Sequence, residues 1–219
     1  MPTDRLDALI LDFDGTIADT IPCCIEAYQA TLEEHGRPRP SVAQVIAGFG
    51  PSEEGMLELE FGPQAWRNAH RTFLRHYERL HAEIPAPFAG AVELFEELAR
   101  RQRLLGIVTG KGRASLDVSL RVLGIEHYFP AKHRESGSSH GAIKLECLQR
   151  LLGRWGIQPA RTAYVGDMAS DVHVAREAGV VAIAARWASN VDHDALLASD
   201  PDLHFASFDE LGAWVRPRC

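Results

Sequence analysis

The sequence predicts an α/β protein with a Rossmann-like parallel sheet in three α/β/α layers, interrupted by an all-helical insert. A short apolar run, Ala8–Leu11, ends in acidic residues and is typical of a buried strand. After residue 88, apolar strands alternate with amphipathic helices, as in successive β–α–β units. Between about residues 20 and 85, by contrast, the pattern contains no convincing strand. The helical stretch therefore interrupts the alternation directly after the first strand.

The insert divides into three predicted helical parts. Residues 19–35 are compatible with one helix, and residues 36–51 hold turns around a short apolar helix because they contain three glycines and three prolines. Residues 52–82 are predicted to be helical again, with a break near Gly62-Pro63. The predicted domains are an α/β core of residues 1–18 and 86–219 and a helical cap of residues 19–85.

The second part of the chain contains the remaining strands and helices. Strands are predicted at 104–108, 162–165, 180–184 and 203–206, and helices at 90–101, from 111 to 123, at 144–155 and at 170–178. Gly124 and Gly179 are predicted to end two of these helices, because glycine readily adopts the left-handed backbone at a helix end. Residues 126–142 are polar and predict no regular element.

Composition narrows the class of protein and its partners. The chain has 219 residues, of which 46% are hydrophobic, and a net charge of −7, which argues against nucleic acid or an anionic membrane as the main partner. Its four cysteines form no C-x-x-C pair, so neither a zinc site nor a disulfide framework is predicted. With neither a signal peptide nor a membrane span in the pattern, we expect a cytoplasmic monomer or homodimer.

The first candidate site is Asp12-Phe13-Asp14-Gly15-Thr16, directly after the first strand. Side chains alternate along an extended chain, so Asp12 and Asp14 are expected to point the same way and to repel each other. Either a cation lies between them or one of them is protonated, and Mg²⁺ suits the first option because it prefers carboxylate oxygens. The alternative is an acidic strand end that only caps a turn.

Two further polar sites follow predicted strands, namely Thr109-Gly110 and Gly166-Asp167, with Asp171 close behind. Ligands of open parallel sheets bind outside the carboxyl ends of the strands, so the three sites should converge. Thr109 and Gly110 offer a hydroxyl and a backbone N–H to a phosphoryl oxygen, although the pair taken alone is more typical of a plain turn. Asp167 could bind the metal, and Asp171 could reach it directly, reach it through water, orient a neighbour, or merely cap a helix.

The chain has three lysines, Lys111, Lys132 and Lys144. Lys144 opens a predicted helix, where a cation is mildly unfavourable, and this cost makes it a candidate partner for Asp12 and a phosphoryl oxygen. Lys111 directly follows Thr109-Gly110 and is the rival candidate, and a solvated surface lysine is the simple alternative.

Taken in order, these motifs resemble the haloacid dehalogenase superfamily of phosphatases, in the branch with a helical cap after the first strand. The matching residues are Asp12-Phe13-Asp14-Gly15-Thr16, Thr109-Gly110, Lys144, and Gly166-Asp167 with Asp171. The resemblance covers nearly the whole chain, and phosphoglycolate phosphatases and pyrophosphatase-like proteins are the most similar branch. Two departures concern the substrate: Leu145 rather than proline follows Lys144, and Gly110 stands where many relatives have asparagine.

The resemblance implies a mechanism. Asp12 would attack phosphorus and form an aspartyl-phosphate, while Asp14 would protonate the leaving oxygen and then activate water. Mg²⁺ would be held by Asp12, the backbone carbonyl of Asp14 and Asp167, with Asp171 as a further candidate. The phosphoryl oxygens would be stabilised by Thr109, Gly110 and Lys144.

The presence or absence of single residues argues for or against other activities that occur on the same fold. The dehalogenase relatives lack the second aspartate, and Asp14 is present; a phosphonate hydrolase would need a cap lysine, and residues 20–85 contain none. A sugar phosphomutase shares Asp12 and Asp14 and stays an alternative, as does a non-catalytic binding protein. The expected substrate is a small phosphorylated metabolite similar to phosphoglycolate, although pyrophosphate, a nucleotide or a sugar phosphate would also fit the motifs. The cap residues that set specificity are left open.

Overall fold

The computed structural model describes residues 5–84, 86–139, 141, 143–189 and 191–219. Six parallel strands form one sheet in the order β3-β2-β1-β4-β5-β6. The strands are β1 (Ala8–Leu11), β2 (Leu104–Val108), β3 (Arg134–Glu135), β4 (Thr162–Gly166), β5 (Val181–Ala185) and β6 (Leu203–Phe205). The predicted parallel sheet is confirmed, and β1 is one of its two central strands.

Nine α-helices occur in the described part of the chain. They are α1 (Ile21–Glu34), α2 (Val42–Ala47), α3 (Glu53–His81), α4 (Ala91–Arg100), α5 (Arg113–Val122), α6 (Lys144–Trp155), α7 (Ala169–Ala178), α8 (His193–Ala198) and α9 (Phe208–Val215). Gly124 and Gly179 have φ angles of 70° and 74°, so both adopt the left-handed conformation expected at a helix end.

Alternation along the strands divides the core into two apolar layers. In β1, Leu9 and Leu11 belong to one buried cluster, whereas Ile10 belongs to the other. The first cluster contains side chains of α4, α5 and α9, and the second contains side chains of α6, α7 and α8. Helices therefore cover both faces of the sheet, which confirms the three-layer architecture.

Between β1 and α4, the regular elements among the described residues are the three helices α1, α2 and α3, and we call Ile21–His81 the helical insert. Within it, α1 and α3 pack around a third apolar cluster that includes Phe73 and Tyr77, and Val118 of α5 joins that cluster. Helix α3 is interrupted at Gly62, whose φ of 74° and ψ of 171° are not helical, so the predicted break is confirmed. The predicted limits at residues 1 and 85 lie outside the described residues.

The strand β3 was missed by the sequence pattern. Arg134 and Glu135 pair in parallel with Ile107 and Val108 of β2, inside the stretch for which no element was predicted. Because β3 has only two residues and both are charged, it presents no apolar run to detect. The predicted strand at 180–184 is also shifted by one residue, because β5 spans Val181–Ala185. Across the described chain, none of the helices combines the length and apolar character of a membrane span.

Candidate active site

The three polar sites predicted from the sequence meet at the carboxyl edge of the sheet. Leu11, the last residue of β1, lies in register with Ile107 of β2 on one side and Val165 of β4 on the other. Asp12 and Thr109 follow the first two strands, and Asp167 follows β4. Because parallel strands end at a common edge, residues about 100 and 155 positions apart in the chain become neighbours.

The Lys144 ammonium joins two carboxylates at this edge. Its Nζ lies 2.5 Å from Oδ2 of Asp12 and 2.7 Å from Oδ1 of Asp171. Burial on its own would lower the pKa of Lys144, but Asp12 and Asp171 raise it above its usual value. Lys144 is thus a charged partner of the proposed nucleophile, as the sequence suggested.

Three buried carboxylates lie close together, those of Asp12, Asp167 and Asp171. They offer oxygens that all lie within 4.8 Å of one another. Burial raises the pKa of Asp12 to about 6, although Lys144 opposes this shift, and burial together with the negative charge of Asp12 raises the pKa of Asp167 well above its usual range. One ammonium does not neutralise three carboxylates, so this group of hard oxygen ligands fits a divalent cation.

Gly15 brings the backbone against this acidic group. A Cβ atom at Gly15 would lie 2.3 Å from Oδ2 of Asp167, and the φ angle of +78° is one that residues with a side chain rarely adopt. The hydroxyl of Thr16 donates to Oδ1 of Asp167 at 2.9 Å. The turn after β1 therefore requires glycine for two reasons and fixes the orientation of Asp167.

Asp14 has a different lysine as its partner. Nζ of Lys111 lies 3.0 Å from Oδ1 of Asp14, and the Thr20 hydroxyl donates to the same oxygen. The sequence left open whether Lys111 or Lys144 enters the site, and the structure brings both into it, each on its own carboxylate. The repulsion expected between Asp12 and Asp14 is therefore reduced by two separate ammonium groups.

Thr109 and Gly110 lie beside Asp12 and Lys144. The Thr109 side chain is buried and forms a hydrogen bond that favours the charged form of Asp12 and so lowers its pKa. Its Oγ1 also accepts from the backbone N–H of Lys111 at 3.2 Å. A Cβ on Gly110 would lie 3.5 Å from Cε of Lys144. Both residues thus lie at the same edge of the sheet as Asp12, as the sequence predicted.

The sequence did not single out Tyr164, Thr20 or Glu53. The Tyr164 hydroxyl lies 2.8 Å from the carbonyl of Val108 and 3.1 Å from Oδ1 of Asp171, so it links β2 to the site. An aromatic residue inside an apolar strand is typical of the core, so nothing in the pattern marked Tyr164 as a site residue. Glu53 follows the glycine-rich turn before α3, and its carboxylate accepts from the N–H of Gly112 at 2.8 Å.

The fold and this site together are those of an α/β protein with buried carboxylates and lysines at the carboxyl edge of its sheet, where ligands of such sheets bind. Residues 9–185 match the family described as haloacid dehalogenase-like hydrolase, so the chain belongs to this family. The resemblance seen in the sequence is thereby confirmed.

The curated relatives are phosphatases. The chain is 30% identical over 199 residues to a phosphoglycolate phosphatase of Synechococcus elongatus, covering 90% of this chain and 91% of the relative. It is 28% identical over 193 residues to an N-acetylmuramic acid 6-phosphate phosphatase of Pseudomonas aeruginosa, covering 84% and 83%. It is 26% identical over 216 residues to the pyrophosphatase PpaX of Bacillus velezensis, covering 96% and 97%. The chain is therefore a phosphatase of the haloacid dehalogenase superfamily.

Solved structures share the fold. A phosphate complex of CbbY from Rhodobacter sphaeroides is similar with a TM-score of 0.80 and 20% identity, covering 95% of this chain and 97% of that one. A predicted phosphoglycolate phosphatase from Haemophilus somnus is similar with a TM-score of 0.77 and 21% identity, covering 95% and 97%. At these identities the likeness establishes the architecture alone.

Proposed function

We propose that this phosphatase is Mg²⁺-dependent and hydrolyses a small phosphorylated metabolite through an aspartyl-phosphate on Asp12. The observation that carries the proposal is the position of Asp12, at the end of β1 with Oδ2 at 2.5 Å from Lys144. Its Oδ1 accepts from the backbone N–H of Phe13 at 2.7 Å, so the carboxylate is held in one orientation. A fixed, buried carboxylate beside a cation is suited to attack phosphorus.

The proposed reaction has two steps. In the first, an oxygen of Asp12 bonds to phosphorus as the bond to the leaving oxygen breaks, and Asp14 gives that oxygen a proton. In the second, Asp14 takes a proton from water, the water oxygen bonds to phosphorus, and Asp12 is released with inorganic phosphate. Lys144, Thr109 and the N–H of Gly110 would stabilise negative charge on the transferring oxygens.

The acidic group of Asp12, Asp167 and Asp171 supports a divalent metal, and we propose Mg²⁺. The ion would be held by Asp12, Asp167 and the backbone carbonyl of Asp14; when bound, it screens the attacking carboxylate and polarises the phosphoryl group. Asp171 accepts from Lys144 and from the N–H of Met168 at 3.1 Å. We therefore give Asp171 the role of orienting Lys144 while adding negative charge near the ion.

Residues 19–85 are proposed to act as a cap that excludes water and contacts the substrate. The substrate predicted from the sequence is similar to phosphoglycolate, which agrees with the name of the Synechococcus relative. The names of other relatives point to pyrophosphate and to a sugar phosphate, so we propose the substrate class only as small phosphorylated metabolites. A cytoplasmic location and the oligomeric state stay predictions.

The proposal is tested by phosphate release from a panel of phosphorylated metabolites. We expect activity in Mg²⁺ that EDTA abolishes and fresh Mg²⁺ restores. Asp12→Asn should reduce turnover at least about 10⁴-fold, because the nucleophile is removed. The matched control is Asp194→Asn, on the exposed side of α8, which should keep full activity. An acid quench of the native enzyme during turnover should yield a hydroxylamine-sensitive phosphoryl group on Asp12. Full activity of Asp12→Asn, or turnover indifferent to EDTA, would refute the proposal.

A further inference from the structure

Lys111 is a buried lysine for which the proposed mechanism has no role. Its side chain is only 1% exposed, whereas the side chain of Lys132 is exposed to solvent. An ammonium taken out of water costs several kcal/mol unless charged or polar groups surround it. The groups that compensate Lys111 therefore indicate what it does.

The Lys111 ammonium faces both oxygens of Asp14. Nζ lies 3.0 Å from Oδ1 and 3.4 Å from Oδ2. The Thr20 hydroxyl donates to Oδ1 as well, and Sγ of Cys24 lies 3.2 Å from Nζ. Burial alone would lower the pKa of Lys111, but the charge of Asp14 and other neighbours raises it well above its usual value. The Lys111 ammonium and the Thr20 hydroxyl together restrict the Asp14 carboxylate.

The aromatic ring of Tyr77 in α3 also contacts the Lys111 ammonium. Nζ lies 4.3 Å from the centroid of the Tyr77 ring, within the range of a cation–π interaction. The ring is fully buried, stacks on Phe73 at 5.7 Å, and its hydroxyl lies 2.8 Å from Oγ of Ser119. Tyr77 is therefore fixed by α3 and α5, and it leaves Lys111 little freedom to move away from Asp14.

We propose that Lys111 is a positioning residue for Asp14 and that Tyr77 of the helical insert keeps Lys111 in place. This inference rests on the proposed function, in which Asp14 transfers protons. The two lysines then have separate tasks: Lys144 serves the carboxylate that bonds to phosphorus, and Lys111 orients the carboxylate that serves the leaving oxygen and the water. The helical insert thereby contributes to the chemistry through one aromatic ring.

Both chemical steps use Asp14, but the leaving group decides how strongly the first step depends on it. p-Nitrophenolate leaves without much help from an acid, so the first step tolerates a displaced Asp14. Attack by water on the aspartyl-phosphate still needs a base. A variant that disturbs Asp14 should therefore accumulate phosphoenzyme from p-nitrophenyl phosphate, and it should be slow in both steps with an alkyl phosphate.

The test is rapid-mixing kinetics of Lys111→Met in the Mg²⁺-loaded enzyme. With p-nitrophenyl phosphate we expect kcat to fall about 10²-fold and KM to fall with it, so that kcat/KM changes less than about threefold, and the burst of p-nitrophenolate to grow toward one per active site. In an Asp14→Asn background, Lys111→Met should add less than about threefold, because the two residues act as a unit. Lys132→Met is the matched control and should behave like the native enzyme.

Variants of Tyr77 provide a second measurement if Lys111→Met does not fold. Tyr77→Phe keeps the aromatic face and should retain at least about tenfold more kcat than Tyr77→Leu, which removes it. A purely structural lysine would lower the active fraction, so the burst would shrink. A smaller burst, additive losses in the Asp14→Asn background, or equal losses for the two Tyr77 variants would overturn the inference. If instead the native enzyme shows no Asp12-dependent phosphate release, the proposed function itself fails.

Discussion

The Lys144 ammonium lies 2.5 Å from Oδ2 of Asp12, although 132 positions separate the two residues in the chain. Lys144 is the first residue of α6, where the partial positive charge of a helix N-terminus disfavours a cation. The contacts with Asp12 and Asp171 offset that cost. Among the described residues, Lys144 is the cation nearest to Asp12, the proposed nucleophile. We therefore expect the site to need the charge of Lys144.

Replacing Lys144 by methionine should abolish most of the activity while leaving the fold intact. We expect kcat to fall about 10²–10³-fold, since a charge stabilising the transferring oxygens is lost. Without Lys144, the largest effect that opposes burial would be lost, and the pKa of Asp12 would rise above about 6. The residual activity should therefore shift toward higher pH, which a pH–rate profile measures. Lys144→Arg should recover part of the loss; a native rate for Lys144→Met would contradict the assignment.

Mg²⁺ should stabilise the protein more at about pH 7.5 than at about pH 5. The folded protein raises the pKa of Asp12 and Asp167, so it binds protons there more tightly than the unfolded chain. This protonation stabilises the metal-free protein at low pH, and the stabilisation is lost as the pH rises through about 6. Above that pH Asp12 is charged and adds to the repulsion within the acidic group, so Mg²⁺ has more repulsion to relieve and fewer protons to displace. Differential scanning calorimetry with EDTA or millimolar Mg²⁺ measures the shift in Tm.

Asp167→Asn separates stability from metal binding. In EDTA at about pH 7.5, this variant should have a higher Tm than the native protein, by about 2–4 °C for each kcal/mol of repulsion removed. Its Tm should no longer respond to Mg²⁺, and its activity should be lost. Asp194→Asn serves as the control with an unchanged Mg²⁺ response. An undiminished Tm response of Asp167→Asn to Mg²⁺ would place the metal elsewhere.

Gly15→Ala should impair metal binding, whereas Gly36→Ala should not. Both glycines have positive φ angles, +78° and +71°, so alanine strains either backbone by about 1–2 kcal/mol. Only at Gly15 would the new Cβ meet a neighbour, Oδ2 of Asp167 at 2.3 Å, while at Gly36 nothing lies within 4 Å. We expect similar losses of Tm from strain. Only Gly15→Ala should need at least about tenfold more Mg²⁺ to reach half of its maximal activity. Equal Mg²⁺ titrations of the two variants would show that Gly15 matters only for its backbone.

The sequence predicted the sheet and the convergence of its polar ends because both follow from local patterns. Apolar runs at β1, β2 and β4 are each followed by a polar motif, and parallel strands place these motifs at one edge. Asp12, Thr109 and Asp167 could therefore be grouped without any knowledge of contacts. The break at Gly62 was equally accessible, because glycine followed by proline disrupts a helix locally.

Apart from the pairing of Lys144 with Asp12, contacts made by helices were not accessible from the sequence. Lys111 lies between β2 and α5, and its contact with Asp14 depends on how α5 packs. Tyr77 lies near the C-terminal end of α3 in an apolar cluster, a position that is typical of the core and gives no sign of the ammonium over its ring. Such pairings arise from tertiary packing, which residue spacing does not encode.

Glu53→Ala should loosen the contact between the helical insert and the core. The Glu53 carboxylate accepts from the N–H of Gly112 at 2.8 Å and from the Ser115 hydroxyl, so a residue of α3 caps the N-terminus of α5. Gly112 directly follows Lys111, so this contact also supports the lysine loop. We expect the variant to lose about 1 kcal/mol of stability, seen as a Tm lower by about 2–4 °C, and about 3–10-fold in kcat/KM. The control is Glu60→Ala on the same helix, whose ion pair with Arg37 is exposed at 3.7 Å and contributes little. Equal effects of the two alanine variants on kcat/KM would mean that the cap of α5 has no part in activity.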